Sequence, residues 1–477
     1  MPNGGFASFE IEYNTAGTLV NPLQEQALLS GALGKNHIIC FSHGWNNDIP
    51  DARLLYDNFF TQVAKVLPEF DIAHDEIALM LVLWPSKKFD EASLVPGNAP
   101  NIGNPAQGNA AGIAIPSSGG TNDAAIDTAI KLQIGALRAA FGNDPSINAF
   151  LATAEGTLQD LGTMRSAQND FVHALSAIIP ASPREQDPGV DDARGALLAL
   201  DGNEVLQRII EGLGSEPASD PSLVNFGSGG SLGGFASLAG AIAPSDAVGA
   251  AAGFDPIGGI KRAAWLLLNF TTYYVMKERA GVIGRSGVAQ TLSKLLTQAT
   301  DDAKLHLGGH SFGGRLVTAA AGALTGGSPK HQAASMSLFQ AAYSHYGLAS
   351  NYGPGLDGAF RSVLTGRKVA GEIVITHSRR DLAVGLLYPL ASAIARRSGS
   401  AMGDANDFYG GMGRNGAQKT PEAFDDKLLT DATPYGALDK GLRVRNLNGD
   451  AIISGHGDIE RPETARALLQ AMTGIVQ

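Results

Sequence analysis

Residues 305–321 read LHLGGHSFGGRLVTAAA and carry the strongest structural signal in the chain. The first four residues form an apolar run typical of a short buried strand, and residues 316–321 are rich in good helix formers. Between them, residues 309–313 match the G-x-S-x-G pattern, which places a serine on a sharp turn between a strand and a helix. Glycine suits such a turn because it has no Cβ to clash where the backbone folds tightly. The stretch therefore predicts a strand, a tight turn at Ser311 and a helix.

A second G-x-S-x-G pattern occurs at residues 229–233, with Ser231 at its centre. The chain contains 60 glycines in 477 residues, so some matches to this pattern are expected by chance. Ser231 lies within the run GSGGSLGG, which has no strand pattern before it and no helix formers after it. Such a composition is typical of a flexible linker or loop. We therefore interpret Ser311 as the candidate nucleophile and Ser231 as a chance match.

Strand patterns alternate with helical patterns along both ends of the chain. The apolar strand patterns cover residues 37–42, 77–84, 305–308, 335–340, 372–376 and 443–447. The helical patterns cover residues 52–67, 261–298, 315–324, 382–397 and 463–477. This alternation predicts an α/β fold with a mainly parallel central sheet and helices on both of its faces. In such sheets the functional residues are expected at the carboxyl ends of the strands.

The middle of the chain differs from these two flanks. Residues 96–120 and 215–259 are rich in Gly, Pro, Asn and Ser, a composition typical of loops. Helical patterns lie between them, at residues 124–141, 147–179 and 194–213. We therefore predict that residues 1–86 and 261–477 form the α/β core. Residues 87–260 are predicted to be a long, mostly helical and Gly/Pro-rich insertion, and a candidate lid.

Composition excludes several classes of function. Hydrophobic residues make up 44% of the chain and charged residues 17%, which indicates a globular protein. Residues 86–260 hold 8 Lys and Arg against 19 Asp and Glu, so the whole formal charge of −11 lies in the middle of the chain. Nucleic acid is not an expected partner, because phosphate binding needs clustered Lys and Arg. No metal or nucleotide cofactor is expected either, since H-E-x-x-H, paired C-x-x-C, Walker A and Rossmann patterns are absent from the sequence.

Other features of the sequence favour a cytoplasmic location. The longest apolar stretch, residues 263–276, is interrupted by Asn269 and is too short to span a bilayer. Residues 1–5 show neither the basic nor the apolar part of a secretory signal. The single cysteine, Cys40, excludes an internal disulfide and fits a reducing compartment. The oligomeric state stays open.

Two further residues complete a candidate catalytic set. A serine hydroxyl is a weak nucleophile until a neighbouring base takes its proton, and that base needs an acid to orient it. Asp381 follows the strand pattern at residues 372–376, and His456 follows the one at 443–447. The alternatives are a surface ion pair between Asp381 and a neighbouring arginine, Arg379 or Arg380, and a loop role for His456. The rival acids are Asp450, which ranks second, and the weaker Asp357, Asp404 and Asp407; Asp458 is a candidate for stabilising the start of the terminal helix.

The order Ser311, Asp381, His456 and the stretch His43-Gly44-Trp45-Asn46 resemble the α/β-hydrolase fold superfamily. The resemblance covers about 300 residues in the two flanks. Within the superfamily, the chain is similar to bacterial esterase- and lipase-like hydrolases that carry HGW- or HGF-type loops, and Leu83-Trp84-Pro85-Ser86 also resembles this branch. The resemblance implies that the backbone N–H groups of Trp45 and Phe312 form an oxyanion hole. We also predict a set of supporting residues around these groups, namely His43, Gly44, Gly309, His310 and Gly313.

The function implied is that of a serine hydrolase that cleaves a carboxylic ester through an acyl-enzyme. The expected substrate is a small-molecule or lipid ester, although thioesters and amides are cleaved by the same groups. The helix around residues 265–276 and the Gly-rich stretch through Phe226 and Phe235 are candidates for an acyl-binding lid; ordinary core and loop are the alternatives. A second hypothesis is a non-catalytic binding or scaffold module that uses the acidic insertion. Separation of Ser311, Asp381 and His456 beyond hydrogen-bond reach would favour that hypothesis.

Overall fold

The central feature of the fold is a single parallel β-sheet. The computed structural model describes residues 2–45, 47–86, 123–141, 144–179, 197–214, 256–381, 394, 410–431 and 433–474. Within these residues the sheet has eight strands in the order β1-β3-β2-β4-β5-β6-β8-β7, and every neighbouring pair is parallel. The strands are β1 Ala7–Glu12, β2 His37–Ser42, β3 Ile77–Leu83, β4 Lys304–His310, β5 Ser335–Phe339, β6 Ile373–His377, β7 Ala423–Lys427 and β8 Val444–Asn448.

The six central strands coincide with the six strand patterns of the sequence, so the prediction of a parallel α/β sheet is confirmed. The two edge strands, β1 and β7, were not predicted. Each pairs with only one neighbour and carries polar side chains, as in the sequences ASFEIE and AFDDK. The long apolar runs that identify a central parallel strand are therefore missing from both edges.

Helices cover both faces of the sheet, and the strands show why. In β2, Ile38 and Cys40 face one hydrophobic cluster, while Ile39 and Phe41 face another, as expected for side chains that alternate along a strand. The helices are α1 Pro22–Gly31, α2 Ile49–Val66, α3 Asp123–Ala140, α4 Pro145–Gly156, α5 Arg165–Ile178, α6 Gly202–Gly214, α7 Pro256–Val282, α8 Ala289–Gln298, α9 Phe312–Ala323, α10 Arg361–Thr365, α11 Met412–Asn415 and α12 Pro462–Thr473. The first cluster contains residues of α1, α7, α8 and α9, and the second contains residues of α2 and α12.

Helices α3 to α6 lie in the region predicted to be an insertion. Most of their buried hydrophobic residues belong to the same hydrophobic cluster as one face of the sheet. Helix α7 joins this region to the sheet, and its side chains from Ile260 to Met276 are almost entirely buried, which matches the alternative of an ordinary core helix. None of the helices in the described ranges is long and apolar enough to cross a membrane. Ser231, Phe226, Phe235, Asp404, Asp407 and almost all of the predicted helix at 382–397 lie outside the described residues.

Candidate active site

Ser311 occupies the turn between β4 and α9, as the sequence predicted. Its φ of 58° and ψ of −124° fall in a region that side-chain-bearing residues rarely adopt. The surrounding backbone holds it there, because its N–H donates to the carbonyl of Phe339 at 3.0 Å and its carbonyl accepts from Ala342 N at 3.0 Å. The side chain is therefore fixed at the carboxyl end of β4.

The three predicted supporting glycines allow backbone segments to approach Ser311 closely. A Cβ on Gly44 would lie 2.6 Å from the Cβ of Ser311. A Cβ on Gly313 would lie 2.5 Å from the carbonyl oxygen of His43, and one on Gly309 would overlap the carbonyl group of Gly313. The loop after β2 therefore passes directly beside the turn that carries Ser311.

His456 connects Ser311 to Asp381. Its Nε2 lies 2.7 Å from Ser311 Oγ, and its Nδ1 lies 2.8 Å from Asp381 Oδ2. Ser311 follows β4, Asp381 follows β6 and His456 follows β8, so all three lie at the carboxyl edge of the sheet. Ser311 is 4% exposed, His456 6% and Asp381 0%. The structure thus brings together the three residues that the sequence selected from distant parts of the chain.

The direction of these hydrogen bonds follows from the acceptor groups. A carboxylate can only accept, so the hydrogen of a neutral His456 ring lies on Nδ1. Nε2 then has a free lone pair and accepts the hydrogen bond from the Ser311 hydroxyl. This arrangement is able to take the hydroxyl proton onto His456 and to stabilise the resulting positive charge beside Asp381.

The rival carboxylates bind other partners. Asp450 accepts from both the backbone N–H and the Nε of Arg379, at 2.7 Å each. An ion pair between Asp381 and Arg379 was one of the alternatives to a catalytic role, and in the structure Arg379 pairs with Asp450 instead. Asp458 accepts from the backbone N–H and the hydroxyl of Ser454, at 2.8 and 2.7 Å. Of these carboxylates, Asp381 is therefore the one that hydrogen-bonds His456.

Trp45 and Phe312 lie side by side next to this chain of hydrogen bonds. Their ring centres are 6.0 Å apart, and the ring of Tyr273 on α7 lies 4.8 Å from that of Phe312. Phe312 is the first residue of α9, where backbone N–H groups have no partner within the helix. Trp45 follows Gly44, whose backbone lies against Ser311, and Phe312 follows Ser311, so the two residues predicted for the oxyanion hole lie on the two segments that meet at Ser311. Asn46 lies outside the described residues.

His43 supports the loop that carries Trp45. Its Nδ1 donates to the carbonyl of Gly44 at 2.9 Å, and Trp84 donates from its indole to the carbonyl of His43 at 3.1 Å. The Ser86 hydroxyl donates to Asn47 O at 2.8 Å and ties the same loop to the end of β3. Burial lowers the pKa of His43 to about 4, despite the bond to Gly44, so the ring is neutral near pH 7. Trp84 and Ser86, from the stretch after β3, thus hold the loop that carries Trp45.

His310, predicted as a supporting residue, contacts the backbone of His456. Its Nε2 donates to the carbonyl oxygen of His456 at 2.8 Å. Burial, followed by the proximity of His456, lowers the pKa of His310 to about 3, so this ring also stays neutral. The side chain next to Ser311 therefore holds the loop that carries the candidate base.

Three further residues near the site were not selected from the sequence. Gln340 also donates to the carbonyl of His456, Thr376 hydrogen-bonds Gln340, and Gly413 packs against Asp381. Gln340 and Thr376 lie at the carboxyl ends of β5 and β6, so the expectation that functional residues follow the strands could have identified them. Gly413 carries no such signal, because its position depends on the path of a distant segment.

Within the described ranges, no group of three or more His, Cys, Asp and Glu side chains is placed to hold a metal ion. Comparison with protein-family models, with curated proteins and with solved structures gives no match to this chain. The family resemblance therefore remains a prediction, and a functional assignment depends on the geometry of the site.

Proposed function

We propose that this protein is a serine hydrolase of the α/β-hydrolase type that cleaves carboxylic esters through an acyl-enzyme. The observation that carries the proposal is the continuous chain from Ser311 Oγ to His456 (2.7 Å) and from His456 to Asp381 (2.8 Å). Its support comes from the strained turn at Ser311 and from the burial of all three side chains. The turn fixes the Ser311 hydroxyl beside its base. Burial of Asp381 and His456 strengthens the hydrogen bond that orients the base.

In the first half of the reaction, Ser311 Oγ attacks the ester carbonyl carbon while His456 Nε2 takes the hydroxyl proton. Asp381 holds the ring through Nδ1 and stabilises its positive charge. The tetrahedral intermediate then collapses: its carbon–oxygen bond to the alcohol breaks, and His456 gives its proton to the departing alkoxide oxygen. The acyl group is left on Ser311 and the alcohol is released.

In the second half, a water molecule attacks the acyl carbon and His456 accepts its proton. The bond to Ser311 Oγ breaks, the serine regains a proton from His456, and the carboxylic acid leaves. In both halves we assign the stabilisation of the oxyanion to the backbone N–H groups of Trp45 and Phe312. Loss of one such donor typically raises the barrier by about 3–4 kcal/mol.

The same geometry bears on the hypothesis of a non-catalytic binding module. That hypothesis is favoured by separation of the three side chains beyond hydrogen-bond reach. Both hydrogen-bond distances are below 3 Å, so the three side chains are not separated in the way that would favour a non-catalytic module. The distances favour the hydrolase.

The direct test is hydrolysis of p-nitrophenyl esters of increasing acyl length, together with an acyl thioester and a p-nitroanilide. We expect the wild type to cleave at least one ester, and Ser311→Ala to lose this activity. Ser231→Ala, in the second G-x-S-x-G pattern, is the matched control and should keep it. Ester hydrolysis that persists in Ser311→Ala would overturn the proposal, as would a folded wild type that cleaves none of these compounds. The preferred acyl length then distinguishes lipid-like from short-chain substrates.

A further inference from the structure

Gln340 connects the strands beneath the site to the loop that carries His456. It directly follows β5 and is completely buried. Its Nε2 lies 3.4 Å from two backbone carbonyl oxygens of that loop, those of His456 and Asp458. Its Oε1 accepts a hydrogen bond of 2.7 Å from the hydroxyl of Thr376 on β6. The side chain therefore joins β5, β6 and the loop after β8.

The carbonyl oxygen of His456 is the point where these contacts converge. It accepts from His310 Nε2 at 2.8 Å and from Gln340 Nε2 at 3.4 Å. His310 immediately precedes Ser311, and Thr376 lies on the strand that leads to Asp381. The backbone of the candidate base is thus held directly by His310, from the strand that leads to Ser311, and by Gln340, which Thr376 anchors to the strand that leads to Asp381.

The backbone at Gln340 is also unusual. Its φ of 41° lies in the left-handed region, which side-chain-bearing residues adopt rarely, and the surrounding structure must hold it there. Gly413 packs on this position: a Cβ there would lie 2.6 Å from the carbonyl carbon of Gln340 and 2.8 Å from Asp381 Oδ2. Gln340 thus contacts the backbone of the candidate base directly and the candidate acid through Gly413. Strained, buried residues cluster at sites whose geometry the surrounding structure holds tightly.

We propose that Gln340 is a positioning residue that sets the placement of His456 relative to Ser311; this inference rests on the proposed function. Gln340 has no part in bond making. Proton transfer from a hydroxyl to its base requires hydrogen-bond distance, and a misplacement of about 1 Å costs up to about 100-fold in rate. Because the bonds from Gln340 are long and His310 holds the same carbonyl, its loss displaces the loop only in part.

The test replaces Gln340 with methionine, which has a similar length but no hydrogen-bonding amide. We expect kcat for ester hydrolysis to fall about tenfold, with KM within about twofold of the wild type. The rate at which Ser311 reacts with a fluorophosphonate should fall by the same factor. A purely structural role would lower the amount of folded enzyme and leave these values per folded molecule unchanged.

The matched control is Gln168→Met in helix α5. Gln168 is also buried, donates to the carbonyl of Leu161 at 2.9 Å and accepts from Asn203 at 2.8 Å. The Gln168→Met variant loses the same hydrogen-bonding amide, but at a position far from Ser311 in the chain. Its kcat and labelling rate should therefore stay within about twofold of the wild type. An equal loss of kcat in both variants would overturn the inference.

Thr376→Val is the second variant, and it decides the question if Gln340→Met does not fold. It removes the hydroxyl that anchors Gln340 Oε1 and should lower kcat about threefold without raising KM. If Gln340→Met folds and its kcat equals that of the wild type, the positioning role is overturned. If Gln340→Met does not fold, a wild-type kcat in Thr376→Val overturns it. A folded wild type that neither cleaves esters nor reacts with the fluorophosphonate would instead overturn the proposed function. Failure of the positioning role and failure of the proposed function are therefore distinguishable.

Discussion

Replacing Asp381 with asparagine tests the role of the buried carboxylate in this site. In the wild type, Asp381 Oδ2 accepts from His456 Nδ1 at 2.8 Å, which leaves Nε2 free to accept the Ser311 proton. An amide nitrogen at this position donates a hydrogen bond instead. It therefore stabilises the other tautomer of His456, in which Nε2 carries the hydrogen. That tautomer points an N–H at Ser311 Oγ and is unable to act as its base.

The expected loss is large because the carboxylate is completely buried and water does not replace it. In serine hydrolases with this arrangement the change typically lowers kcat by about 10⁴-fold, which corresponds to about 5 kcal/mol of barrier. Asp450→Asn provides the control. The Asp450 carboxylate binds Arg379 at 2.7 Å, and we expect its replacement to change kcat by no more than about threefold.

The assay is kcat for the best p-nitrophenyl ester, measured at pH 8 for the wild type and both variants. Urea unfolding of each protein shows that the comparison is made between folded molecules. Wild-type kcat in Asp381→Asn, or a larger loss in Asp450→Asn than in Asp381→Asn, would refute the assignment of the acid and the tautomer argument.

Two further predictions concern stability. Gly313→Ala should lower the free energy of unfolding in urea by about 3 kcal/mol, because its Cβ would overlap the backbone carbonyl groups of Ser42 and His43 at the end of β2. Gly322→Ala, on the same helix, would place a Cβ at an ordinary contact distance of 3.9 Å from Val363 and should be neutral or stabilising by up to about 1 kcal/mol; equal effects of the two substitutions would contradict this. Burial keeps the pKa of His306 in the folded protein well below 6.5. As the pH falls below this value, His306 is therefore protonated in the unfolded chain but stays neutral in the folded protein. The free energy of unfolding should therefore decrease below about pH 6.5, by up to about 1.4 kcal/mol per pH unit for this residue. His306→Gln should show a smaller decrease between pH 7 and 5, and an unchanged one would contradict the prediction.

The central strands were predictable because a strand that is buried on both faces consists mainly of apolar residues. Strands β2 and β3 are continuous apolar runs, and the pattern 37–42 coincides with the observed strand His37–Ser42. The edge strand β7, AFDDK, lacks such an apolar run, and its charged residues bind partners such as Arg445 and Asn446 on β8. Its identity as a strand depends on the neighbouring strand rather than on its own composition.

The site was predictable to the extent that its residues follow strands. Ser311, Asp381 and His456 each come shortly after a predicted strand, and the structure joins them by hydrogen bonds. The competition between Asp381 and Asp450 could not be settled in the sequence, because both follow a strand and only the path of the loops decides which one reaches His456. Gly413 was missed for a similar reason: its contact with Asp381 depends on a segment that returns to the site from a distant part of the chain.

The most direct test of the central claim, an activated nucleophile at Ser311, is peptide mapping after reaction with a fluorophosphonate. The hydrolase account predicts one adduct, located on the peptide that contains Ser311, and a much slower reaction in a folded His456→Ala variant. A folded wild type that acquires no adduct on Ser311, or an adduct that forms equally fast in His456→Ala, would contradict it.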